Sequence, residues 1–157
     1  IKMERITFKQ KPVDIPADYR PMYLIGLIVM ILYHCCRKHT SVLLKLHLFN
    51  WCLRSKRNME VIQKFVDSKK KTKTPYWCID PALNRALKYA VADNICTIEA
   101  KTDKNNRYTL SEKGIALTTA INNDTELMIK EKEFLSYIGL KLSDETVLNL
   151  TTRKIGL

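Results

Sequence analysis

The chain has 157 residues, 46% hydrophobic and 27% charged, which suits one folded domain with a real core and excludes a fibrous or disordered chain. Its formal charge of +11 points to a polyanionic or acidic partner. Residues 1–78 hold sixteen Lys/Arg against five Asp/Glu, and residues 79–157 hold eleven of each, so the excess lies wholly in the first half.

Residues 1–21 carry Pro12, Pro16 and Pro21 with little periodicity and read as an extended N-terminal arm. Pro21 suits the first turn of a helix, where its missing N–H costs nothing. A helix is predicted from about Met22 to Arg37. Its apolar run, Met22 to Tyr33, falls short of the roughly 20 residues that span a bilayer, and no secretory leader is read, so a cytoplasmic protein is expected. Lys38-His39-Thr40 breaks this helix, and Thr40 or Ser41 is placed to cap the next one. That second helix, "SVLLKLHLFNWCLR", bears one apolar stripe of Val42, Leu46, Phe49 and Leu53. Leu44, Leu48 and Trp51 form another, and Leu43 widens the surface. Apolar side chains around most of a helix require burial on several sides, by the domain's own core or by a partner. His47, between the stripes, fits a satisfied core or interface histidine.

Residues 54–73 hold eight basic and two acidic side chains. Met59, Val61, Ile62, Phe65 and Val66 suggest a short helix there, followed by a lysine-rich loop from Ser68 to Pro75. Asp80-Pro81 is a strong helix start, a capping carboxylate before a proline at the first helical position. Leu83, Ala86, Leu87, Ala90 and Val91 give that helix one apolar face, with Arg85, Lys88 and Tyr89 opposite. Ile95–Ala100 and Arg107–Leu110 read as paired strands around a polar tip. Ser111 starts another helix, a further one runs from about Glu126 to Leu140, and Ser143 caps a short last one. The reading is mainly α with a small β-hairpin, a single winged helix-turn-helix-like domain over 22–150. It has a basic insert at 54–79 and a tail at 151–157.

No catalytic chemistry is legible. His34, Cys35, Cys36 and His39 cluster, but adjacent cysteines on a helix point about 100° apart and do not share one ion readily. Cys52, Cys78 or Cys96 with His47 shows no spacing that favours a nucleophile and base over packing. Gly26, Gly114, Gly139 and Gly156 are isolated, and Asp80, Asp93, Glu99 and Asp103 form no spaced acidic cluster. The five cysteines are odd in number and scattered, which suits reduced core thiols. No enzyme activity, metal or cofactor is expected.

Three stretches carry a resemblance: "LLKLHLFNW" from Leu43, "DPALNRAL" from Asp80 and "YTLSEKG" from Tyr108. With Lys130-Glu131-Lys132-Glu133-Phe134-Leu135 they resemble the middle component of ABC-three-component systems, over about Arg20 to Leu150. Within that family the chain resembles the small third subunit of the Lamassu anti-phage systems. The resemblance implies a non-catalytic adaptor beside an SMC/Rad50-like ATPase and a separate effector, often a nuclease. It carries no catalytic positions, and the lysine loop matches no motif of the family.

Two functions therefore stand. As an adaptor, the chain would dock its partners through Leu44, Leu48 and Trp51, with Arg54, Lys56 and Arg57 as a basic rim and Trp51 as the anchor. Lys69, Lys70, Lys71 and Lys73 would add a contact to the backbone of double-stranded DNA. As a stand-alone winged-helix DNA-binding transcriptional regulator, it would use Arg85 and Lys88 on the helix in the recognition position. The insert of about 26 residues before Asp80 counts against the regulator, because a groove-reading helix-turn-helix normally has a short turn.

Overall fold

A computed structural model describes residues 20–69, 77–99 and 106–155. Residues 1–19 of the N-terminal arm, the lysines at 70, 71 and 73 and the tip between the predicted strands up to residue 105 lie outside the described residues, and the last two residues read as arm, Arg20 and Pro21, belong to the first helix.

The first helix, α1 (Arg20–Cys35), is the hub. Leu27, Ile28, Val29, Met30, Ile31 and Leu32 are successive residues, so they point in every direction around the helix, and all are buried. α4 (Pro81–Ala92), α5 (Glu112–Asn123) and α6 (Ile129–Ile138) pack around it, and α2 (Leu43–Cys52) closes another side. Fully burying one such side chain is worth roughly 1.5–3 kcal/mol, so this helix alone supplies a large part of the favourable burial. Polar ties hold it in place. The Tyr23 hydroxyl donates to Glu131 at 2.7 Å, and the Cys35 thiol donates to the Leu135 carbonyl at 3.4 Å.

Between α1 and α2 the chain makes a tight turn at Arg37–His39, with Lys38 and His39 both at positive φ, 55° and 56°. It then forms a short strand, β1 (Thr40–Val42). This corrects the sequence reading, which gave Thr40 or Ser41 to a helix cap. Val42 occupies the cap position of α2 and makes no side-chain cap bond. Thr40 is engaged instead by β3 (Arg107–Leu110), where the Thr109 hydroxyl donates to that of Thr40 at 2.8 Å. The hairpin partner of β3 is β2 (Cys96–Glu99), so the antiparallel sheet runs β1-β3-β2. A helix, an edge strand, two helices and a two-stranded wing in this order make a winged helix. Here α2 and α4 are its helix pair, and α3 (Lys56–Asp67) is an extra helix between them.

The helix starts follow local chemistry. Asp80 accepts from the Ala82 N–H at 3.0 Å with Pro81 next to it, Ser111 accepts from Gly114, and Ser143 accepts from Thr146. Ser55 caps α3 by accepting from Asn58. Gly114 cannot carry a side chain, because a β-carbon there would collide with the Ile95 carbonyl oxygen and with Leu110. The last helix, α7 (Asp144–Ile155), is longer than the short one expected, and residues 151–155 are helical rather than a polar tail.

Candidate docking surface

α4 is built to face two ways. Leu83, Ala86, Leu87 and Ala90 are buried against α1, at the spacing that puts them on one side of a helix. Arg85, Lys88, Tyr89 and Ala92 lie on the other side and are exposed, Tyr89 by 60%. This stripe borders a groove of about 460 Å³ shared with the first turns of α1 and lined by Pro21, Met22, Ile25, Tyr89, Ala92 and Asp93. Met22 is 70% exposed, so two large apolar side chains stand at the mouth of the groove. Asp93 pairs with Lys113 at 3.1 Å. Arg85 and Lys88 make no ion pair with any described residue, so their charge is available to a partner.

A polar seam fixes α4 on α2. Arg54, just past the end of α2, pairs with Asp80 at 3.0 Å. His47 Nε2 meets Asn84 Oδ1 at 3.0 Å, and the Asp80 N–H reaches His47 Nδ1 at 3.5 Å. These partners fit a neutral imidazole that donates from Nε2 and accepts at Nδ1. Burial pushes the His47 pKa below its usual value, against the opposing pull of the Asn84 contact and the Asp80 charge. The histidine is thus a staple between two helices. Although the insert separates α2 from α4 in sequence, it leaves and returns at the Arg54–Asp80 contact. The side chains at the ends of the two helices therefore touch across the insert.

Of the two sources of cover left open for α2, the domain's own core supplies most, which corrects the docking role given to Leu48. Leu48 is fully buried, as are Leu46, Phe49 and Cys52, and even Lys45, His47 and Asn50 are buried. Leu48 therefore cannot meet a partner in this fold, because this chain's own core already covers it. α3 and α7 supply that cover along with α1. Leu44 and Trp51 are half-buried and pack on the core. The Trp51 carbonyl accepts from Asn58 Nδ2 at 2.8 Å, which ties the proposed anchor to the start of α3. Arg54 is exposed but engaged by Asp80, and Lys56 and Arg57 are exposed on the first turn of α3. Lys56 borders a second groove, of about 560 Å³, between α3 and α6 with Met59, Phe134 and Tyr137 on its walls. Lys69 is exposed at the end of the described part of the insert, with φ at 59°. The six residues named for protein docking thus do not form one patch, and Arg85 and Lys88 belong to a different face from Lys56 and Arg57.

The chain matches no family model, no curated protein and no solved structure. Its chemistry must be read from its own side chains. Burial pushes the Cys35 thiol up to about 12 and that of Cys96 to about 11, and Cys36 and Cys52 are raised as well, first by burial. Thiols so raised stay protonated at neutral pH and are poor nucleophiles. Among the described residues no three His, Cys, Asp or Glu side chains stand close enough to hold a metal ion. No helix of the described residues is long and apolar enough to cross a membrane. The groove beside Met22 is not legible in the sequence, because Met22 is one member of the continuous apolar run from Met22 to Tyr33. The signal it carries is position: the first turn of a hub helix projects beyond the helices that cover its middle.

Proposed function

We propose that this protein is a non-catalytic adaptor subunit that docks a partner protein through the α1–α4 face. The observation that carries this reading is the continuity of the Arg85–Lys88–Tyr89–Ala92 stripe with the apolar groove at Pro21, Met22 and Ile25. A surface that only tracks phosphates needs cations and donors, whereas apolar side chains at its edge suit a protein core contact with a charged rim. The two unpaired cations specify the partner's chemistry, an apolar ridge flanked by acidic residues, such as one face of an amphipathic helix. The resemblance to the middle component of ABC-three-component systems supports the same class. It implies an SMC-like ATPase and a nuclease-like effector as the two partners in an anti-phage complex, with DNA backbone contact at the lysines of the insert as a secondary role.

Co-expression with an SMC-like ATPase and an effector subunit, followed by size exclusion, tests this. A stable complex is expected, and Met22→Ser with Tyr89→Ser should release the chain as a folded monomer. A complex that survives this double change overturns the docking face. The second reading, a stand-alone DNA-binding regulator, gains from the polar contacts that link α2 to α4 despite the insert between them. Protection of a discrete DNA site by the isolated chain, relaxed by Arg85→Ala, would favour it over the adaptor.

A further inference from the structure

The sequence reading made no use of Lys45. It lies in the first turn of the apolar helix α2, and its side chain is only 4% exposed. Its ammonium group stands 3.8 Å from Asp144 Oδ1, beyond hydrogen-bond distance, and makes no hydrogen bond with a described residue. Asp144 commits its other oxygen to Arg107 at 2.7 Å. One carboxylate is therefore shared by two cations, and the closer contact belongs to Arg107. Among the described residues Trp77 Nε1 is the one fully buried side-chain donor without a partner, so the Lys45 ammonium keeps contact with the open space beside it, where its donors can meet water or a ligand.

Lys45 lines a cleft of about 360 Å³ bounded by the turn before β1, the start of β3 and the first turn of α7. Arg37, Lys38 and Arg107 line it too, so four cations face the carboxylates of Asp144 and Glu145, a surplus of two positive charges. Arg37 and Lys38 are exposed and pair with no described carboxylate. Lys38 is held at φ 55° and ψ 23°, a conformation that costs about 1 kcal/mol or more in a side-chain-bearing residue. The Thr40 hydroxyl, also in the cleft, accepts from Thr109 and so keeps its own proton for another acceptor.

We infer that this cleft binds a phosphate monoester on a small molecule, with Arg37, Lys38, Lys45 and Arg107 as its cationic ligands and Thr40 as a neutral donor. A monoester carries about −1.5 to −2 charge at neutral pH and so matches the surplus, whereas each backbone phosphodiester carries one negative charge. The volume is at the small end of the range for small-molecule sites, about 300–1,000 Å³, and leaves room for a group attached to the phosphate. The acceptor oxygens of the ligand complete the shell that Asp144 leaves unfinished around Lys45.

The test uses the full chain with inorganic phosphate, a nucleoside 5′-monophosphate and a short DNA duplex, all at one ionic strength set with chloride. Calorimetric binding of phosphate and of the monophosphate is expected, with a rise in the unfolding temperature absent in chloride alone. Arg37→Gln with Lys38→Asn should weaken that binding by about tenfold or more without lowering the ligand-free unfolding temperature, because both side chains are exposed and Asn tolerates the left-handed backbone better than Lys. Lys45→Met should abolish binding as well. Absence of binding to either phosphate compound overturns the site, as does binding that the Arg37/Lys38 double variant retains. Displacement of phosphate by the duplex at matched phosphate concentration overturns the small-ligand assignment in favour of a backbone contact.

Discussion

α2 and α4 flank the same insert, and each is rich in apolar residues, yet they end in opposite situations. α2 is covered on nearly every side, so that even its lysine, histidine and asparagine are buried. α4 buries one face on α1 and leaves Tyr89 at the edge of an open groove. The surplus of apolar side chains on α2 therefore marks the middle of the core, whereas α4, with the cleaner amphipathic pattern, shares an open apolar groove with the first turn of α1. What decides exposure is how many neighbours a helix has, and a single helix's composition carries little of that.

Five changes would break or sharpen this contrast. Leu48→Ala should lower stability by about 2–5 kcal/mol in urea unfolding, the usual cost of truncating a fully buried leucine. A loss below about 1 kcal/mol would mean that α2 is not buried within this chain. Asp80→Ala removes both the α4 cap and the partner of Arg54 and should cost about 1–2 kcal/mol in the same measurement.

The seam should also respond to acid. The folded pKa of His47 lies below the usual 6.5, so the neutral ring contributes stability that is full above that pH. This contribution should fade as pH falls from 6.5 toward the depressed folded value, because the unfolded chain binds the proton more readily. His47→Gln should flatten that part of the stability–pH curve. The smallest effect is expected on the open face, where Tyr89→Ser and Met22→Ser should each change the isolated chain's stability by no more than about 0.5 kcal/mol.

The parts of the fold that local chemistry writes were legible in the sequence. Asp80-Pro81, Ser111 and Ser143 each start a helix because the cap and its N–H partner lie within three residues. The wing strands were legible because they are close in sequence. β1 was not, since three residues Thr-Ser-Val carry no period and their partner strand lies far along the chain. Lys45 was equally hidden: a lysine in an apolar run usually reaches solvent, and only the arrival of α7 and β3 encloses it. Of the candidate DNA contacts, Arg85 and Lys88 were placed on an outward face by helical spacing alone, and both are exposed there. Leu48 was misassigned because spacing identifies a stripe without saying which neighbour covers it.

The pairing of Thr40 with Thr109 has a consequence for how the chain reaches this structure. Glu99 and Arg107 pair across a short stretch, but Thr40 must meet a residue 69 positions away. Closing that larger loop costs more entropy and gains only three residue pairs on an edge strand. The β2–β3 hairpin and the helices around α1 are therefore expected to order before β1 docks. Weakening β1, for instance by Thr40→Ala, should mainly speed unfolding, while weakening the hairpin should slow folding, a difference that the two arms of a denaturant rate plot would separate.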